Sequence, residues 1–93
     1  MKRFGMLRMI FSENIITIFC SEPDVLEEMR SMIAENAHSI EVNRTSRYHY
    51  VLHTDKVNSH EAYAWIIQYF CREGWEPYGI GETNELNAFR KEF

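Results

Sequence analysis

The stretch that decides the fold is residues 58–80, NSHEAYAWIIQYFCREGWEPYGI. Apolar and aromatic side chains at residues 62–71 cover more than half the circumference of a helix, so this helix should be buried on more than one side. Asn58 and Glu61 have the spacing of a capping box at the start of the helix, and Gly74 suits the left-handed conformation that ends one. We therefore predict a core helix that leads directly into a strand.

The rest of the chain adds strands and one more helix around this core helix. Apolar or β-branched runs bounded by turn residues predict strands, and a proline followed by acidic residues after Ser21 predicts a helix capped by that serine. The predicted elements are strands at 4–11 and 15–20, a helix ending near Asn36, strands at 39–43 and 47–54, the core helix, and strands at 75–81 and 86–93.

This order, ββαββαββ, contains the ferredoxin-like βαββαβ pattern between Ile15 and Ile80. Right-handed crossovers would place two helices on one face of an antiparallel sheet. An added N-terminal hairpin strand and an added C-terminal strand would extend that sheet. Because no linker is visible, we predict a single α+β domain over residues 1–93.

Residues 47–93 resemble a group of short bacterial β-α-β-β domains of uncharacterised function. The resemblance rests on the strand YHYVLHT, a Gly-Trp-Glu motif at residues 74–76 and the closing aromatic and basic strand FRKEF. Pro77 stands where that group has an aliphatic residue, and the N-terminal half of the chain has no counterpart in it. The resemblance implies a strand order and no functional residue.

Composition narrows the range of partners. The chain has 93 residues, 45% of them hydrophobic, and a net charge of −4. Residues 21–41 hold six acidic residues and one arginine, a charge of −5, so the rest of the chain carries +1. An acidic protein lacks the general attraction for phosphates that supplies most non-specific nucleic-acid affinity. Nucleic acid is therefore a disfavoured partner.

Membrane association and disulfide bonds are disfavoured as well. Arg8 interrupts the apolar N-terminal run far short of the length of a membrane span, so we expect no membrane partner. Cys20 and Cys71 lie in apolar runs without C-x-x-C spacing, which predicts buried, reduced thiols. Together these features predict a cytoplasmic protein.

Reactive side chains are present, but none stands in a catalytic or metal-binding motif. His49 and His53 share one face of a predicted strand and lie about 13 Å apart, too far to bind one ion. Gly79 and Gly81 are not followed by a helix whose N-terminus could bind a phosphate. We therefore predict no cofactor, no metal and no catalytic residue, and favour a protein that is not an enzyme.

We expect a small non-enzymatic protein-interaction module, either self-associating as a homodimer or acting as a subunit of a complex. Apolar residues occur on both faces of the first two strands, which is more apolar surface than two helices on one side can cover. An alternative is a small-ligand-binding domain or minor enzyme that uses an aromatic pocket. The pocket or partner face would be lined by six aromatic residues: Tyr48, Tyr50, Trp65, Tyr69, Trp75 and Tyr78.

A further alternative is RNA binding on the sheet face. Tyr48 and Tyr50 fall two residues apart on one predicted strand, and RNA recognition motifs place base-stacking aromatics in this way. The segment lacks the glycine-containing RNP pattern. If RNA binds, a basic patch of Arg8, Arg44 and Arg47 should converge with these tyrosines.

Trp75 follows the predicted helix stop and begins a strand. We expect its indole to be buried at one end of the core, in a structural role. The competing interpretation is an exposed anchor for a partner, because tryptophan is enriched at interface hot spots.

Overall fold

The computed structural model describes residues 3–36, 39–55, 58–78 and 88–93. Within these ranges two helices and six strands follow one another in the order ββαββαββ, which confirms the predicted α+β class. The elements are β1 (Phe4–Ser12), β2 (Ile15–Cys20), α1 (Pro23–Asn36), β3 (Glu41–Ser46), β4 (His49–His53), α2 (Ser59–Arg72), β5 (Glu76–Pro77) and β6 (Ala88–Glu92).

The strands form one antiparallel sheet in the order β3-β4-β2-β1-β6-β5. Helix α1 connects β2 to β3, and β4 pairs between them. Helix α2 connects β4 to β5, and three strands lie between those two. The added strands β1 and β6 extend the sheet, as expected, and they pair with each other between β2 and β5. Strand β5 is therefore an edge strand, separated from β2 by two strands.

One face of the sheet and both helices form a single core. Burial alternates along β1, where Leu7 and Met9 are buried and Met6, Arg8 and Ile10 are exposed. The buried residues of the helices join the same cluster, so both helices cover one face of the sheet, as predicted. The buried apolar residues of the core are Leu7, Met9, Ile16, Ile18, Cys20, Leu26, Met29, Ile33, Tyr50, Leu52, Ile66, Phe70, Trp75 and Phe89.

Helix α2 ends as predicted but begins differently. Gly74 has a φ of +96°, and the backbone N–H groups of Gly74 and Trp75 donate to the carbonyls of Cys71 and Phe70, which is a Schellman motif. At the start, Asn58 makes no side-chain capping bond, because its Nδ2 points to Asp55 at 3.4 Å.

Burial of α2 is also less complete than the sequence indicated. Ile66 and Phe70, one helical turn apart, are fully buried, while Trp65 and Tyr69 are half buried on the flank. Cys71 was predicted to be buried and is exposed, because it follows Phe70 and points away from the core. The helix packs through one wide stripe and leaves its outer side in solvent.

The two other predicted element boundaries shift because polar side chains bond within the strands. Ser21 does not cap α1; its Oγ accepts the backbone N–H of Met6 at 2.9 Å and so extends the pairing of β1 with β2. The predicted turn at residues 44–46 belongs to β3, and the chain turns later, at residues 47–48. There the hydroxyl of Ser46 accepts the backbone N–H of Tyr48 at 3.2 Å and closes the turn.

At the C-terminal end, β5 (Glu76–Pro77) and β6 (Ala88–Glu92) lie within the strands predicted at 75–81 and 86–93. Residues 79–87, including the predicted Gly79 and Gly81 bend, lie outside the described residues. Trp75 itself is 2% exposed, which confirms that it is buried. It packs edge-on against Phe93, with ring centroids 6.0 Å apart.

Candidate protein-interaction face

The described helices leave one face of the sheet exposed, the face turned away from them, and we call it the open face. On β1 and β2 it consists of the residues that alternate with the core residues. Antiparallel sheets with one face in water usually carry polar residues there. The open face instead carries five large apolar side chains that are 36–51% exposed: Phe4, Met6, Ile10, Ile15 and Phe19.

At the centre of the open face is a row of three side chains on neighbouring strands. Arg8 of β1 lies opposite Phe19 of β2, which lies opposite His49 of β4. The rings of Phe19 and His49 are stacked, with centroids 4.2 Å apart and planes inclined by 18°. The Thr45 hydroxyl is hydrogen-bonded to Nδ1 of His49 and fixes the orientation of the imidazole. The row is thus a pre-arranged aromatic surface beside a guanidinium group.

A second cation, Arg90 of β6, lies between two aromatic rings of the open face. Its guanidinium carbon is 5.0 Å from the ring centroid of Phe4 and 4.7 Å from that of Tyr78. Across the strands, Arg90 is opposite Met6 on one side and Glu76 on the other. The rings hold the charge by cation–π attraction. This end of the open face therefore presents aromatic surface around the fixed charge of Arg90.

The open face is large enough to matter energetically. Side chains of about 200 Å² each at the observed exposure leave roughly 400 Å² of apolar surface in contact with water across the five residues. The largest apolar patch on a typical monomer covers about 300–600 Å² and is often functional. The open face falls within that range before Tyr78 is counted.

Tyr48 and Tyr50 were predicted to share a strand face, and the structure separates them. Tyr50 is buried on the helix side of the sheet; burial raises the pKa of its phenol, and a hydrogen bond and negative charge from Glu27 raise it further. Tyr48 lies in the turn before β4, 48% exposed, with the guanidinium carbon of Arg47 5.5 Å from its ring centroid. The two rings do not form a stacking platform.

The other four aromatic residues of the predicted set also occupy different surroundings. Trp75 is in the core, and Tyr78 lies on the open face beside Arg90. Tyr69 is half buried on α2, where burial and the charges of two nearby glutamates raise the pKa of its phenol. Trp65 lines an open cleft of about 360 Å³ near the end of α1 and the start of α2. Of the six aromatic residues, all in the described ranges, Trp65 alone lines this cleft.

The three arginines of the predicted basic patch do not converge. Arg8 lies on the open face, and Arg47 lies in the turn before β4. Arg44 faces α1, where its Nη1 is 3.5 Å from Oε1 of Glu27. The positive charges are thus divided among the two faces and one end of the sheet.

Within the described ranges, no group of three or more His, Cys, Asp or Glu residues is placed to hold a metal ion. Neither of the two helices described is long and apolar enough to cross a membrane.

Sequence patterns indicated an uncovered apolar surface but not the residues that form it. Both faces of β1 and β2 are apolar in sequence, and their register decides which set meets the helices. Phe19 and Ile10 were not among the predicted site residues, whereas Tyr78 was and does lie on the open face. Leu7 and Met9 are buried, and side chains alternate between the two faces along a strand, so Ile10 must lie on the opposite face.

No protein-family model, curated protein or solved structure matches this chain. Its function is therefore inferred from the geometry and chemistry of its own surfaces.

Proposed function

We propose that this protein is a small non-enzymatic interaction module that binds a protein partner through the open face. The observation that supports the proposal is the row of large apolar side chains left in water on β1 and β2. Burying roughly 400 Å² of such surface would contribute about 10 kcal/mol before the costs of association. Aromatic and arginine side chains, which dominate interface hot spots, stand at the centre of the face.

Fixed side-chain geometry adds to this support. Phe19 is held by its stack on His49, and Arg90 is held between Phe4 and Tyr78. Side chains that are already ordered lose little conformational entropy on binding, which lowers the cost of association. A partner would therefore meet a surface that needs little rearrangement.

The proposal is tested with two matched arginine substitutions. Phe19→Arg places a charge on the open face, and Tyr48→Arg places one at a similarly exposed aromatic position outside it. Both variants should fold, because the replaced rings are 44% and 48% exposed. Each is used as tagged bait against purified untagged protein and against a cell extract.

We expect wild type and Tyr48→Arg to retain the same partner and Phe19→Arg to lose it, since a charge buried without a counter-ion is strongly unfavourable. Thermal melts of the three baits show whether they are equally folded. If Phe19→Arg and Tyr48→Arg behave alike, the open face is not the interaction surface and the proposal is wrong.

We also infer that the sheet is an expanded ferredoxin-like core. The order β3-β4-β2 with α1 across it is that of three of the four strands of such a fold, and β1 and β6 occupy the space in which β5 would pair with β2. Cross-strand NMR contacts between Leu7 and Phe89 would support this insertion, and direct contacts between β2 and β5 would contradict it. The resemblance of residues 47–93 to short β-α-β-β domains and the cytoplasmic location remain predictions.

A further inference from the structure

The nature of the partner follows from the size, the edges and the charges of the open face. Six strands about 4.8 Å apart, with ladders about 20 Å long, give roughly 500 Å² in projection, so two such faces packed together would bury roughly 1,000 Å² in total, the lower size of a specific interface. One copy of the face is thus the right size to cover another copy.

Both edges of the sheet are poorly suited to pairing with a further strand. Edge strand β3 has a bulge between Arg44 and Ser46, which interrupts its ladder. Edge strand β5 has two described residues, and Pro77 has no N–H to donate. Such edges disfavour association side by side, which makes the open face the better surface, among the described residues, for two copies to share.

The centre of the apolar patch is the seam between β1 and β2. Phe4 and Ser12 are the ends of β1, and Arg8, the midpoint, lies opposite Phe19. A symmetric dimer interface is self-complementary, with its twofold axis through the centre of the patch. When two such sheets pack with their strands aligned, the axis lies in the plane of the interface in one of two directions, close to the strand direction or close to the perpendicular across the strands.

The two axes differ in what they place against Arg8. An axis across the strands brings Arg8 of one copy against Arg8 of the other, and two apposed guanidinium groups repel. An axis along the strands exchanges β1 and β2, so that Arg8 of each copy meets Phe19 of the other. The guanidinium then lies on a ring that is already stacked on its other side by His49.

Building on the proposed function, we propose that the partner is a second copy of this chain, packed face to face about a twofold axis along the β1–β2 seam, with Arg8 of each copy on Phe19 of the other. Like ends of β1 then lie together in the dimer. Phe4 lies near Phe4 of the partner copy, and Ser12 lies near its counterpart. With the axis across the strands, Phe4 would instead lie near Ser12 of the other copy. Within one copy, Phe4 and Ser12 are about 26 Å apart along β1.

Thiol cross-linking distinguishes these arrangements. Phe4→Cys and Ser12→Cys are each made in a Cys71→Ser background, because Cys71 is exposed, whereas Cys20 is buried and does not react. A short bifunctional maleimide is added to each variant alone and to an equal mixture in which one variant carries a mass tag. The proposed dimer predicts cross-linked homodimers of each variant and no tagged heterodimer; heterodimers without homodimers would contradict the axis.

The Arg8–Phe19 contact has its own test. Two symmetric cation–π contacts predict that Arg8→Ala weakens dimerisation by about thirty-fold. Arg72→Ala, which removes an exposed arginine at the end of α2 on the other side of the sheet, should leave the dimerisation constant unchanged. Equal effects of the two substitutions would overturn the assigned contact.

The outcome also separates this inference from the proposed function. If wild type stays monomeric and gives no cross-link, while Phe19→Arg still loses a partner that Tyr48→Arg retains, the second-copy inference is wrong and the interaction face stands. If wild type is monomeric and both arginine variants behave alike, both are wrong.

Discussion

Removing Trp75 tests how the core is closed at the end of α2. The indole is 2% exposed, and its Cη2 would lie 3.1 Å from a Cβ placed on Gly5, so it fills the space between β1 and the end of the helix. Its backbone N–H donates to the carbonyl of Phe70 and completes the helix cap. Trp75→Ala keeps that backbone bond and removes the ring alone. The change therefore reports the packing of the side chain.

The expected cost of Trp75→Ala is about 3–5 kcal/mol, the range for truncating a buried large aromatic residue. A domain of this length has a free energy of unfolding of roughly 5–14 kcal/mol at the usual 0.05–0.15 kcal/mol per residue. The variant should lose about a fifth of that stability or more. At about 4–8 °C per kcal/mol, its melting temperature should fall by at least about 12 °C.

Urea unfolding followed by circular dichroism measures this cost, with Tyr48→Ala as the control. Tyr48 is 48% exposed, so its truncation should change the free energy of unfolding by less than about 0.5 kcal/mol. The structural role would be refuted if Trp75→Ala unfolded at the same urea concentration as wild type. A variant that melts like wild type but no longer self-associates would instead make Trp75 an interface anchor.

Three further predictions concern the backbone and the buried thiol. Gly5→Ala should lower the free energy of unfolding by about 1–3 kcal/mol in urea titrations, because the new Cβ would lie 2.6 Å from Cε2 of Phe93. The same substitution should cost less in a Phe93→Ala background, and an unchanged cost there would contradict the clash. Glu13 has a φ of +54° in the β1–β2 turn, so Glu13→Gly should stabilise by about 0.5–1 kcal/mol; a destabilised variant would show that the left-handed backbone is not strained. Burial raises the pKa of the Cys20 thiol from 9.0 to about 12, so above about pH 9 the unfolded chain loses this proton first and the free energy of unfolding should fall as the pH rises. Cys20→Ala should make this fall less steep in urea titrations at several pH values, and an equally steep fall would exclude the thiol as its cause.

Local sequence signals predicted the elements well where one residue type decides the conformation. Gly74 ends α2 at the expected position, and Ile15–Cys20 is a strand with the predicted bounds. Capping was predicted less well, because Ser21 and Asn58 have competing partners. Ser21 bonds the backbone of β1, and Asn58 bonds Asp55, contacts that depend on tertiary structure or on the turn itself.

The strand order and the candidate site depended on long-range pairing that periodicity does not encode. The pairing of β1 with β6 joins the two ends of the chain and displaces β5 to the edge. The aromatic residues of α2 led to the prediction that Trp65 and Tyr69 belong to the site, but these two residues flank the core. The uncovered aromatic surface is on the sheet, where Phe19 became identifiable once the buried phase of β2 was known.

Sedimentation equilibrium of the wild-type protein tests the proposed self-association most directly. The chain has a mass of 11.1 kDa, so the face-to-face dimer predicts a mass of twice that value, 22.2 kDa, at micromolar concentration and above. Phe19→Arg should return the mass to that of one chain, and Tyr48→Arg should not. A wild-type mass of 11.1 kDa over the whole concentration range would contradict the dimer.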